Sequence, residues 1–366
     1  MMSTHRAAIL TGKGQPFEIQ SRSTPKPGPG ELLIAVKSVA FNPADAIMRS
    51  QGLFITEYPT VTGFDMAGLV LEIGENVPTG DDKIPSFQPG TRVAAYSASA
   101  WRSCAPEYGA FQEKCLVPWQ HAAPLLDQRI SWNHAATLPV SVQVPLSAWD
   151  MMGIPRMGEY GTASESPVEK NEVLLIWGAS SSVGTMGVQS ARIMCQDPKS
   201  PFAAVYATAG SENHEYIRSL GADRVFDYKD YQAVDMMVSA AWSDGLNIRH
   251  CFLAMGQLSS CQAVLKAFVE DGRKAKIVSA PRLPADMKDV DGVEVIFVMP
   301  SMEEEERLSQ FRYWMGTWLT KTLANGAIRT SPEPKVVGRG LKLINEGLDK
   351  MAQGVSCAKL VVEIDE

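Results

Sequence analysis

Leu174-Leu175-Ile176-Trp177 runs directly into Gly178-Ala179-Ser180-Ser181-Ser182-Val183-Gly184, and this stretch carries the clearest chemistry in the chain. Four consecutive apolar residues suit a parallel strand covered on both faces. Small residues then turn the backbone, and Val183, Met186, Val188 and Ile193 recur as the inner face of a helix behind it. A turn of this kind presents the positive end of a helix, with unpaired amides, to a phosphate. Gly178 and Gly184 are expected to let the backbone turn tightly and approach a pyrophosphate. The alternative is an ordinary strand-to-helix turn with a serine cap, because Ser181 and Ser182 stand where many dinucleotide folds have glycine.

The next strand decides which dinucleotide is expected. In NAD-binding sheets an Asp or Glu ends the second strand and takes the ribose hydroxyls, and the same charge repels a 2′-phosphate. Here Ala204-Val205-Tyr206-Ala207-Thr208 continues into Ala209-Gly210, with small neutral groups where the acid would fall. NADPH is therefore the expected cofactor. Ser211 and Asn213 are placed to donate to the 2′-phosphate, and Tyr228 and Lys229 to add a hydroxyl and a cation. Glu212 must then point away or cap the helix; a plain polar loop with a helix cap is the competing reading.

Other candidate chemistry is sparse. Cys104, Cys115, Cys195, Cys251, Cys261 and Cys357 lie far apart with no CxxC pair, which speaks against a disulfide framework and a zinc knuckle. The five histidines show no spacing to a serine or aspartate that would suggest a triad. A net charge of −7 argues against a broad nucleic-acid surface. No apolar run approaches the roughly 18 residues needed to cross a bilayer. The first residues lack the layout of a secretory signal, so a cytoplasmic location is expected.

These residues need elements to hold them. At 366 residues, 45% hydrophobic and 20% charged, the chain suits a soluble enzyme of two domains. Candidate strands at 6–11, 31–41, 68–74, 92–96 and 110–117, broken by Gly/Pro turns, suggest a compact barrel-like β domain. Helical spacing covers 132–152, and 158–171 reads as a polar linker. Strands and helices then alternate from 173 to 299, implying a doubly wound parallel sheet. Helices are expected over 303–325 and 338–353, and a closing strand over 359–364.

Several segments in this order resemble the medium-chain dehydrogenase/reductase superfamily: Asn42-Pro43-Ala44-Asp45, Gly63-Phe64-Asp65-Met66-Ala67-Gly68, Gln88-Pro89-Gly90-Thr91-Arg92-Val93, Gly109-Ala110-Phe111, Ala135-Ala136-Thr137-Leu138-Pro139 and Gly221-Ala222-Asp223. The resemblance implies an α/β chain with a GroES-like β-rich domain (1–140, completed by 326–366) and a Rossmann NADPH-binding domain (141–325). Its zinc-dependent members use Cys, Gly-His-Glu and further Cys ligands. Asn42–Asp45 has no Cys and Phe64-Asp65 replaces His-Glu, so no metal is expected. The turn itself is similar to that of fungal trans-acting enoyl reductases that serve polyketide synthases.

By that resemblance, Ala44, Asp45 and Ile47 border the nicotinamide ribose, and Gly178 to Gly184 hold the pyrophosphate. Ser211, Glu212, Asn213 and Tyr228 surround the adenosine phosphate, Ala280 lies beside the nicotinamide, and Ser356 and Cys357 close over the cofactor. Asp45 has a second reading as a helix cap. Gln143 and Trp149 face the acyl pocket, with Val295 and Phe297 opposite, although Trp149 also fits helical spacing as core. The expected activity is NADPH-dependent reduction of an enoyl thioester, free or bound to a carrier protein, with a polyketide synthase as partner and the enzyme a monomer or homodimer. No residue is singled out as proton donor. The alternatives are a quinone or enone reductase and an idle NADPH-binding protein.

Overall fold

A computed structural model describes residues 3–80, 85–156, 169–270 and 273–364. The expected linker 158–171 lies, up to residue 168, outside the described residues. The chain divides into two compact units, 1–143 with 301–366, and 144–300.

In the first unit a seven-stranded sheet runs in the order Pro334–Arg339, Lys359–Glu363, Glu31–Ala40, Asp65–Ile73, Arg92–Tyr96 and Ala122–Pro124, with Lys114–Pro118 also pairing to Glu31–Ala40. Alternation on these strands sends Ile34, Val36, Met66, Val70, Val93 and Val117 into one core around Phe111. The hairpin Thr4–Leu10 with Phe17–Ser23 flanks it. Its second strand, Phe-Glu-Ile-Gln-Ser-Arg-Ser, buries only Phe17, so no alternation marks it in the sequence.

The second unit is a six-stranded parallel sheet in the order Arg224–Asp227, Phe202–Ala209, Glu172–Trp177, Asn247–Leu253, Ala275–Ser279, Val293–Phe297. Every residue of Glu172–Trp177 is buried, which is why its sequence is an unbroken apolar run after the first residue. The direction of strand addition reverses between Glu172–Trp177 and Asn247–Leu253. Ligands in doubly wound sheets bind at the carboxyl ends of strands beside such a reversal.

Two expectations are corrected. Residues 301–325 belong to the first unit rather than to the nucleotide unit. Glu304–Phe311 continues through the π-helical Arg312–Leu319 and buries Phe311, Trp314, Met315, Trp318 and Leu319, packing on Trp119–His121 and Ala122–Pro124. The helix expected over 338–353 starts only at Ile344, because Pro334–Arg339 is drawn into the sheet as an edge strand and Gly340 turns the chain at φ +94°.

Candidate functional site

The phosphate turn of the second unit is assembled by local bonds. Gly178 N donates to Thr208 Oγ1 at 2.9 Å and Ala179 N to the Thr208 carbonyl at 2.8 Å, which pins the turn to the neighbouring strand. Ser181 caps the helix Ser182–Gln196: its Oγ accepts from Gly184 N at 3.1 Å and donates to the Gly178 carbonyl at 2.8 Å. The cap reading and the phosphate reading thus coexist, since one hydroxyl closes the turn while Ser182 and Val183, at the helix start, keep amides outside the helical ladder. Both are half-buried, as is Ser180. Gly184 does the first part of what was expected of it, the tight turn. A side chain there would press on the Gly178 carbonyl and stand 2.8 Å from Ala179 Cα and Ser181 Oγ, so glycine is needed to close the turn itself. Gly178, at φ +82°, faces the backbone of Met255 in the same way. These amides at the positive end of a 15-residue helix fit a dinucleotide pyrophosphate.

Beyond the second strand, the short turn Ser211–Asn213 and the residues after Arg224–Asp227 come together. Ser211 and Tyr228 are exposed and Asn213 half-buried. Asp227 accepts from Lys229 N at 2.9 Å, and this bond, with another from the Ser211 amide, pulls its carboxyl below the usual range. Glu212 neither points away nor caps a helix. Its carboxylate folds back over Gly210 and pairs with Lys229 Nζ at 3.6 Å. The cation expected for a 2′-phosphate is therefore engaged by an acid. Ala280, half-buried at the end of Ala275–Ser279, donates its amide to the Leu253 carbonyl at 2.9 Å.

In the first unit the functional candidates sit on a buried charge network. Asp45 opens the helix Pro43–Gln51 as a cap: its Oδ2 accepts from Asn42 N at 2.8 Å. Asn42 Nδ2 donates to Asp65 Oδ2 at 3.0 Å, and Lys359 Nζ meets Asp65 Oδ2 at 2.6 Å and Asn42 Oδ1 at 2.8 Å. Asp65 Oδ1 accepts from Val140 N at 2.7 Å. Burial, with Asp65 nearby, pushes the Asp45 carboxyl up to about 7, and its Oδ1 has no hydrogen-bond partner. Asp45 is fully buried, so of the three residues expected at a ribose only Ala44 and Ile47 are half-open. Phe64 packs on Tyr96 with ring centroids 5.7 Å apart. Among the described residues no three His, Cys, Asp or Glu side chains converge as a metal site.

The alcohol dehydrogenase GroES-like domain matches residues 28–127. Over its full length the chain is 38% identical to the trans-enoyl reductase tndF of Aspergillus flavipes, covering 100% of both. It is 39% identical to the trans-enoyl reductase tazE of Aspergillus terreus over 85% of this chain and 98% of that one. The chain belongs to the trans-enoyl reductase group of the medium-chain dehydrogenase/reductase superfamily. An alcohol dehydrogenase superfamily protein of Novosphingobium aromaticivorans shares the fold, with a TM-score of 0.74 at 20% identity over 99% of this chain and 100% of that one.

The expected acyl-pocket residues are distributed over the two units. Trp149 packs as core: its Nε1 donates to Ser190 Oγ at 3.0 Å and its ring meets Phe252 edge-on. Gln143 is buried in the first unit, while Val295 and Phe297 lie on the outermost strand of the second, Phe297 exposed. Ser356 is exposed and Cys357 half-buried before Lys359–Glu363, Cys357 with φ +48°. Burial pushes the thiols of Cys115 and Cys357 up, the opposite of an activated nucleophile. Lys359 escaped the sequence reading. It opens the strand Lys359–Glu363 ahead of the buried Leu360, Val361 and Val362, and its neighbours in sequence do not name the carboxylate it meets.

Proposed function

We propose that this protein is an NADPH-dependent reductase of α,β-unsaturated acyl thioesters presented by a polyketide synthase, working without a metal. The observation that carries the reading is the full-length match to the trans-enoyl reductase tndF, supported by a helix-capped turn at the strand-order reversal whose amides suit a phosphate. When bound, the nicotinamide supplies a hydride to the β-carbon of a substrate already activated by its own carbonyl.

The protein's share is binding and placement. Ser182 and Val183 amides would hold the pyrophosphate, and Ser211, Asn213 and Tyr228 the adenosine phosphate. Ala280 would sit beside the nicotinamide, and Ala44 and Ile47 beside its ribose. NADPH is favoured by the neutral strand end Ala209-Gly210 and by Lys229. A metal-free reaction is supported by the donor chemistry: Phe64 offers no ligand atom, and Asp65 is held by Lys359, Asn42 and the Val140 amide.

Purified protein is assayed with NADPH against a crotonyl thioester, free and loaded on a carrier protein, and against small quinones. Thioester reduction that exceeds quinone reduction in kcat/KM, and persists in the presence of a chelator, is expected. Turnover of quinones alone overturns the reading.

A further inference from the structure

Resting on the NADPH reading, we infer that Glu212 sets how steeply this chain distinguishes NADPH from NADH, by engaging Lys229 and by offering its own carboxylate at the end of the second strand. A side-chain carbon built at Gly210 would stand 2.6 Å from Glu212 Oε1 and 2.7 Å from Oε2. The carboxylate therefore covers the residue just past Phe202–Ala209, which is where an acid takes the ribose hydroxyls in NAD-binding sheets. The sequence places that acid two residues beyond Gly210, and the short turn Ser211–Asn213 brings its carboxylate back.

The local charge count follows. Glu212 and Asp227 are acids and Lys229 is the cation between them, bonded through its amide to Asp227 and through its ammonium to Glu212. One net negative charge thus faces an arriving 2′-phosphate. Lys229 and Glu212 are both more than half exposed, and an exposed pair of this kind exchanges partners at little cost. To bind NADPH, Lys229 turns to the phosphate and leaves Glu212 unpaired beside it. With NADH the pair stays intact and Glu212 accepts from a ribose hydroxyl. Repulsion by Glu212 offsets part of the attraction by Lys229, so the preference for NADPH over NADH is narrower than Lys229 alone would give.

Binding of NADPH and of NADH to the full chain is measured by fluorescence titration at fixed ionic strength, for wild type, Glu212→Gln and Lys229→Met, with circular dichroism to show that each is folded. Wild-type Kd values within about tenfold of each other are expected. Glu212→Gln tightens NADPH by about tenfold and weakens NADH a few-fold, and Lys229→Met weakens NADPH by about tenfold with NADH unchanged. If Glu212→Gln shifts both dinucleotides by the same factor, or neither, the inference is overturned while the NADPH reading stands. A wild type that binds NADH alone fails the NADPH reading; the inference then survives only if Glu212→Gln admits NADPH. Binding of neither dinucleotide overturns both.

Discussion

Lys359→Met removes one charge from a network that has no access to solvent, and the structure sets the size of the effect. Lys359 is 1% exposed and Asp65 is 0% exposed, with 2.6 Å between Nζ and Oδ2. Methionine keeps most of the volume, so the loss is electrostatic. Breaking one side of a buried pair costs about 3–5 kcal/mol, because the remaining charge is left unpaired. Asp65 keeps bonds from Asn42 Nδ2 at 3.0 Å and Val140 N at 2.7 Å, which puts the expected cost at the low end, about 3 kcal/mol. For a unit of this size each kcal/mol moves the thermal midpoint by about 2–4 °C, so a fall of roughly 6–12 °C is expected by calorimetry at pH 7. The double variant Asp65→Asn, Lys359→Met removes both charges and should recover most of that fall. A single variant that melts within 2 °C of wild type, or a double variant that melts lower still, refutes the claim that the pair is a buried, mutually dependent unit.

Gly184→Val should abolish dinucleotide binding, because its side chain presses on Gly178 and Ala179 and opens the turn; titration with NADPH checks this, and affinity within threefold of wild type would show that the turn is not the phosphate site. Ser211→Asp adds a carboxylate beside Glu212 and Asp227 and should weaken NADPH about tenfold more than NADH, and equal losses would remove Ser211 from the adenosine phosphate site. Asp45 titrates at about 7 against an ordinary 3.8, so the folded state keeps a proton that the unfolded chain has lost between those values. The contribution of Asp45 to stability should accordingly fall as pH rises from about 4 to about 7, by up to about 1.4 kcal/mol per unit, and level off above. Asp45→Asn should abolish that slope. Urea midpoints of the two proteins that run parallel from pH 5 to pH 7.5 would contradict the assignment.

What the sequence made legible follows from how far apart the partners are. The helix Ser182–Gln196 is legible because its cap, its turn and its buried face are all contiguous. The same holds for Glu172–Trp177, where burial on both faces leaves no choice but apolar side chains. By contrast, Asn42 and Lys359 meet across 317 residues, and nothing near either position announces the other. Helical spacing in 303–325 correctly marked a buried face. It could not say which core that face joins, and Phe311 stacks on His121 of the first unit at 3.9 Å. Trp149 was ambiguous for the same reason, since spacing identifies a stripe and only packing shows whether the stripe looks at Phe252 or at a ligand.

Glu212 shows the limit most sharply. A motif assigns an acid to its role by position along the strand, yet the carboxylate sits at the tip of a flexible side chain whose reach is several ångströms. Three residues of tight turn are enough to carry it back over Gly210, where it meets Lys229. Strand-end spacing therefore reports the backbone on which an acid is mounted, while discrimination between a hydroxyl and a phosphate depends on where its charge comes to rest relative to Lys229 and Asp227. On the inference drawn above, the charge balance of Glu212, Asp227 and Lys229 sets the dinucleotide preference of this chain, and the neutral residues at its strand end do not set it alone.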